Sequence, residues 1–135
     1  MDNLYRDFIL EHYREPHNRG VLDPHDLAAA DANPTCGDEL AVTIRLDPSG
    51  ARVVAVAFDG RGCAISQASA SILSDELAGM SRDELAAIDP GDVVGNLGVP
   101  IGPARLKCAL LAWKVVQGAV RGDRAAWPET AEVSS

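Results

Sequence analysis

Cys36, Cys63 and Cys108 are the residues of this 135-residue chain best suited to chemistry. A thiolate is both a nucleophile and a soft metal ligand. The spacings of 27 and 45 residues exclude a CxxC knuckle, so the three can act together only where the fold brings separate loops into contact. Cys36 lies in Asn33-Pro34-Thr35-Cys36-Gly37-Asp38, a polar and tightly turned segment. Cys63 follows Gly60-Arg61-Gly62 and stands just before a predicted helix, whose N-terminal dipole favours the thiolate. Cys108, early in the last predicted helix, reads when taken alone as a small buried hydrophobe. Asp38 is two residues from Cys36, with Gly37 between them, so a sharp turn could aim both side chains at one point. Taken alone, Asp38 reads as a turn residue capping a nearby backbone N–H.

Three thiolates and one carboxylate make a four-ligand tetrahedral set. Its sulfur content favours Zn²⁺ or iron–sulfur chemistry over Mg²⁺ or Ca²⁺. A zinc site of this kind carries a net negative charge, and Arg105 and Lys107, within three residues of Cys108, are the candidates to compensate it. A solvated helix face is the competing reading for both, and for Lys107 it has equal weight. His12, His17 and His25 all precede Cys36, and nothing in their spacing makes them ligands. They read as structural or solvated.

The elements that must position these residues follow from periodicity. Leu4, Tyr5, Phe8, Ile9 and His12 share one face of an N-terminal helix capped by Asp2 or Asn3 and ended by Pro16 and Gly20. Residues 14–37 read as a long loop, a kind that tends to be functional in a small domain. Leu40, Val42, Ile44 and Leu46 alternate, Asp47-Pro48-Ser49-Gly50 is a turn, and residues 52–58 form the second arm of a hairpin. A third short strand is expected near Gly62–Ile65. From Ser66 a small-residue helix runs to about Gly79. Ser81-Arg82-Asp83-Glu84 has the form of a capping box opening a short helix that stops before Pro90. Residues 89–103 read as a second long loop. A last helix, opened by Pro103 and spanning about 104–120, shows Leu106, Leu110, Trp113 and Val116/Gln117 on one face. Residues 121–135 read as a polar, frayed tail.

The expected architecture is therefore a single α+β domain over residues 1–120, a small, mainly antiparallel three-stranded sheet with helices packed on one face. A net charge of −8 disfavours nucleic acid and anionic lipid as partners. No apolar run reaches the length of a membrane span, no signal peptide is visible, and an odd number of cysteines suits a reducing cytoplasm.

Asn33-Pro34-Thr35-Cys36-Gly37-Asp38, Gly60-Arg61-Gly62-Cys63 with the serine-rich run after it, and Pro103-Ala104-Arg105-Leu106-Lys107-Cys108 resemble the three cysteine motifs of the NifU-N/IscU superfamily of iron–sulfur cluster assembly proteins. Tyr5-Arg6 through His17-Asn18-Arg19-Gly20-Val21-Leu22 resembles its N-terminal helix and following turn, so the likeness spans about residues 4–120. Three ordered motifs are far more specific than one. The finer resemblance is to the SufU branch: IscU scaffolds carry a histidine immediately before the third cysteine, where this chain has Lys107. The stretch from Cys63 to Cys108, by contrast, is short and IscU-like.

The resemblance implies zinc held by Cys36, Asp38, Cys63 and Cys108. It implies a SufS-like cysteine desulfurase as partner, with an iron–sulfur scaffold or acceptor protein downstream. On this reading Cys36 accepts persulfide sulfur. The alternative is an IscU-type scaffold that uses the same residues to hold iron or a transient [2Fe–2S] cluster. A zinc hydrolase is the third reading, and it lacks any HExxH motif.

Overall fold

The computed structural model describes residues 2–34, 37–122 and Trp127, with side chains from Arg6 onward. The elements run α1 (Asp2–Arg14), β1 (Leu27–Asn33), β2 (Asp38–Leu46), β3 (Val53–Arg61), α2 (Ala64–Leu77), α3 (Arg82–Ala86), α4 (Pro90–Gly95) and α5 (Pro103–Arg121). The strands form one antiparallel sheet in the order β1-β2-β3, and α2 and α5 pack on it, as the α+β expectation requires.

The β2–β3 hairpin follows its alternation. Leu40, Val42, Ile44 and Leu46 are buried, with Val42 opposite Phe58 and Ile44 opposite Val56. The third strand is not where the sequence suggests. No strand forms at Gly62–Ile65, because Cys63 is already the N-cap of α2. The strand is β1, inside the segment expected to be loop. Leu-Ala-Ala-Ala-Asp-Ala-Asn holds no β-branched or aromatic residue, so its own propensity is weak. Pairing with β2, from Leu27 opposite Ile44 to Asn33 opposite Asp38, is what makes it a strand. The second expected loop likewise contains α4, begun by Asp89, whose carboxylate accepts from Gly91 N–H at 2.9 Å, and by Pro90 in the first turn. The capping box at Ser81 and Glu84 forms as predicted.

The last helix, α5, lies at the centre of the molecule. It packs against β1, β2, α2, α3 and α4, so Leu106 and every residue from Cys108 to Ala119 is buried, not only the predicted face. Close packing of α2 on α5 and α1 depends on its serines, each small enough to be buried and each hydrogen-bonded. Ser69 Oγ donates to the Ala109 carbonyl at 2.7 Å, and Ser74 Oγ to the Ser71 carbonyl at 2.6 Å. The first helix docks on α2 through Ile9 and His12, with His12 Nδ1 2.7 Å from Ser71 Oγ. Phe8, expected on the same face, is 39% exposed, and the Leu4 and Tyr5 side chains lie outside the described residues. A buried ion pair, Asp31–Lys114, fastens β1 to α5 with side chains only 6% and 5% exposed, and the Trp127 ring lies over the Lys114 ammonium at 5.1 Å. Of the tail expected to fray, everything past Gly122 except Trp127 is outside the described residues.

Candidate metal centre

Asp38 opens β2, opposite Asn33 at the end of β1 and beside the last turn of chain before α2. Its carboxylate is fully buried. Oδ1 accepts the backbone N–H of Cys63 at 2.8 Å, and Oδ2 lies 3.8 Å from Cys63 Sγ. This approach depends on Gly62, where φ is +153° and a Cβ would stand 2.2 Å from Asp38 Oδ1. Gly60 has a related role: with φ at +150°, its missing Cβ would meet the Glu39 carbonyl oxygen at 2.1 Å. The glycines before Cys63 thus let the end of β3 press against the start of β2, so that the carboxylate and the thiol meet.

Cys63 is half-buried at the N-terminus of α2, as the N-cap residue of that helix. Cys108 is buried, in the second turn of α5. The ligand atoms of Asp38, Cys63 and Cys108 all lie within 4.8 Å of one another. A four-coordinate zinc with bonds of ~2.3 Å to sulfur and ~2.0 Å to oxygen spaces its donors roughly 3.3–3.8 Å apart. The three residues are therefore gathered to about the dimension of such a site. Two sulfurs with one oxygen suit zinc or iron, not a hard cation. Asp38 keeps Oδ2 for a metal, since Oδ1 is taken by Cys63 N–H.

Cys36, the expected fourth ligand and sulfur acceptor, lies outside the described residues, as does Thr35. Its neighbour Gly37 donates its N–H to the Asn33 carbonyl at 2.9 Å, closing the β1–β2 connection. Arg105 is exposed in the first turn of α5. Lys107 is also exposed, and its ammonium lies over the Trp127 ring at 5.4 Å. None of the three histidines joins the metal group. His12 pairs with Ser71, His17 with Asp75 at 2.6 Å, and His25 Nδ1 is 2.9 Å from the Leu22 carbonyl.

One residue beside the centre escaped the sequence reading. Asn33 is 1% exposed, and its Nδ2 donates toward Cys108 Sγ at 3.9 Å. Alternation would have found it had β1 been recognised as a strand, because Leu27, Ala29, Asp31 and Asn33 share one parity.

The family model described as NifU-like N terminal domain matches residues 4–125. The chain belongs to the NifU-like N-terminal domain family. The zinc-dependent sulfurtransferase SufU of Bacillus subtilis (strain 168) is 40% identical over 140 residues, covering 89% of this chain and 91% of the relative. The iron–sulfur cluster assembly scaffold protein IscU of Streptococcus pyogenes serotype M1 is 30% identical over 138 residues, covering 90% and 85%. The crystal structure of a SUF-system protein from Fervidobacterium islandicum AW-1, named for a scaffold role in iron–sulfur cluster assembly, superposes with a TM-score of 0.71 at 28% identity, covering 84% of this chain and 94% of that one. The NifU-like fold and the three-motif resemblance thus hold for this chain.

Proposed function

We propose that this chain is a zinc-bound sulfur acceptor of the SufU type, taking persulfide sulfur from a SufS-like cysteine desulfurase for iron–sulfur cluster assembly in the cytoplasm. The observation that carries this reading is the meeting of Asp38, Cys63 and Cys108 within 4.8 Å from three separate elements. The 40%-identical relative named as a zinc-dependent sulfurtransferase supports it, and so does Lys107 in place of a histidine.

Cys36, Asp38, Cys63 and Cys108 would hold the zinc. When bound, zinc keeps the thiols deprotonated at neutral pH and shields them from oxidation. The Cys36 thiolate attacks the outer sulfur of the desulfurase persulfide. A new S–S bond forms on Cys36, the old one breaks, and the desulfurase cysteine leaves as its thiolate. No net oxidation occurs, so no further redox partner is needed. Cys36 then presents the sulfur to a downstream scaffold or acceptor protein, whose thiol repeats the exchange. Arg105, exposed within the last motif, adds positive potential for the anionic persulfide.

The IscU-type relative at 30% identity favours a second reading, a scaffold that builds a [2Fe–2S] cluster on the same residues. Desulfurase turnover separates the two. A sulfur acceptor raises cysteine turnover when added to the enzyme, because it drains the stalled persulfide. Unchanged turnover together with a stable [2Fe–2S] absorption spectrum after anaerobic addition of iron and sulfide would establish the scaffold instead.

A further inference from the structure

Asn33 touches several parts of the centre at once. Its backbone carbonyl accepts from Gly37, the residue bonded to Cys36. It is the ladder partner of Asp38. Its side chain, 1% exposed, directs an amide N–H at Cys108 Sγ from 3.9 Å. A buried amide without partners is costly, so a side chain in this place is held by what it bonds.

The charge of the centre gives the contact its meaning. A divalent cation held there by three thiolates and a carboxylate would leave net negative charge on its ligands, of which Asp38 and Cys108 are buried. Asp38 is relieved by the Cys63 N–H, and Cys63 by the N-terminus of α2. Cys108 is embedded within α5, away from that helix's first turn. The Asn33 amide is a donor the structure directs at its sulfur. An N–H donated to a metal-bound thiolate withdraws charge from it and makes it a poorer nucleophile.

We infer that Asn33 is a positioning residue: its amide holds the Cys108 thiolate as the fixed ligand of the centre. Sulfur exchange is thereby directed away from Cys108. This inference rests on the metal-centre reading above.

The test compares wild type, Asn33→Ala and Asn33→Asp. Each apoprotein is first melted, and zinc affinity is then measured by competition with a chromophoric chelator. The sulfur-to-metal charge-transfer band is recorded with Co²⁺ in place of zinc. Asn33→Asp preserves shape, but its carboxylate cannot donate and adds negative charge. We expect zinc binding about 10–100-fold weaker in Asn33→Ala and weaker again in Asn33→Asp. The Co²⁺ band should move to lower energy, because a thiolate without the N–H donates more strongly. A role confined to folding would lower the apoprotein melts and leave the band in place. Wild-type affinity in either folded variant, an unmoved band, or failure of both apoproteins to fold would overturn the inference. A wild-type protein that binds no zinc would instead bring down the metal-centre reading, and the Asn33 inference with it.

Discussion

A single methyl group at Gly62 would collide with the centre. Gly62→Ala places a Cβ 2.2 Å from Asp38 Oδ1 at a backbone φ of +153°, so either the carboxylate or the backbone must shift. The variant should lose about 1–3 kcal/mol of stability and most of its bound zinc, as read by thermal melting and metal analysis. Arg105→Glu should act differently. Arg105 is exposed, so the variant should keep its zinc while accepting sulfur more slowly, by about 3-fold or more, in single-turnover assays with the desulfurase. Equal rates in the two proteins would remove Arg105 from the transfer step. At this scale the sequence was informative wherever residue type alone carries chemistry. Cys63, Cys108 and Asp38 were legible as candidate soft and hard ligands, and the glycines before Cys63 were visible. The close approach that makes Gly62 necessary was not, because it depends on where β3 ends relative to the start of β2. Asn33 was hidden for a similar reason: its amide matters only once a helix 75 residues later brings Cys108 beside it.

Among the elements, α1 is held partly by a titratable contact. His12 is buried against α2 with Nδ1 2.7 Å from Ser71 Oγ. Burial first, then the neighbouring charge of His17, keeps its pKa below the ordinary 6.5, against smaller opposing effects of Asp75 and Glu11. The unfolded chain therefore takes up this proton at higher pH than the folded one. The contribution to stability is complete above about pH 6.5 and is lost as the pH falls from there through the lower folded value. Denaturant melts from about pH 8 to about pH 5 should show this decline, and His12→Gln should flatten it. The Asp31–Lys114 pair fastens β1 to α5 with both side chains nearly dry. Lys114→Met removes the ammonium paired with the buried Asp31 carboxylate and should cost about 3–5 kcal/mol, and Asp31→Leu in the same chain should recover most of that. The strand β1 itself was illegible because alanine-rich sequence takes its conformation from its neighbour. The hairpin and the last helix, whose periodicity is strong, were read correctly, as was the serine-rich helix, although it begins two residues before the expected Ser66.

For the molecule as a whole, the candidate ligands come from the start of β2, the start of α2 and the second turn of α5, and α5 is packed against most of the fold. A metal bound there would tie those elements together and so couple metal binding to folding. Removal of zinc by a strong chelator should lower the melting temperature by roughly 5 °C or more, a shift of about 1 kcal/mol or greater for a domain of this size. An unchanged melt after verified removal would deny the metal any structural part. Cys36 remains at the centre of the functional claim, and the most direct measurement addresses its thiol. Zinc-loaded protein is incubated with a cysteine desulfurase and cysteine, alkylated, digested and mapped by mass spectrometry for the addition of one sulfur, ~32 Da. The added sulfur should be found on Cys36, and Cys36→Ser should abolish it; an adduct confined to Cys63 or Cys108, or sulfur transfer that survives Cys36→Ser, would contradict Cys36 as the acceptor.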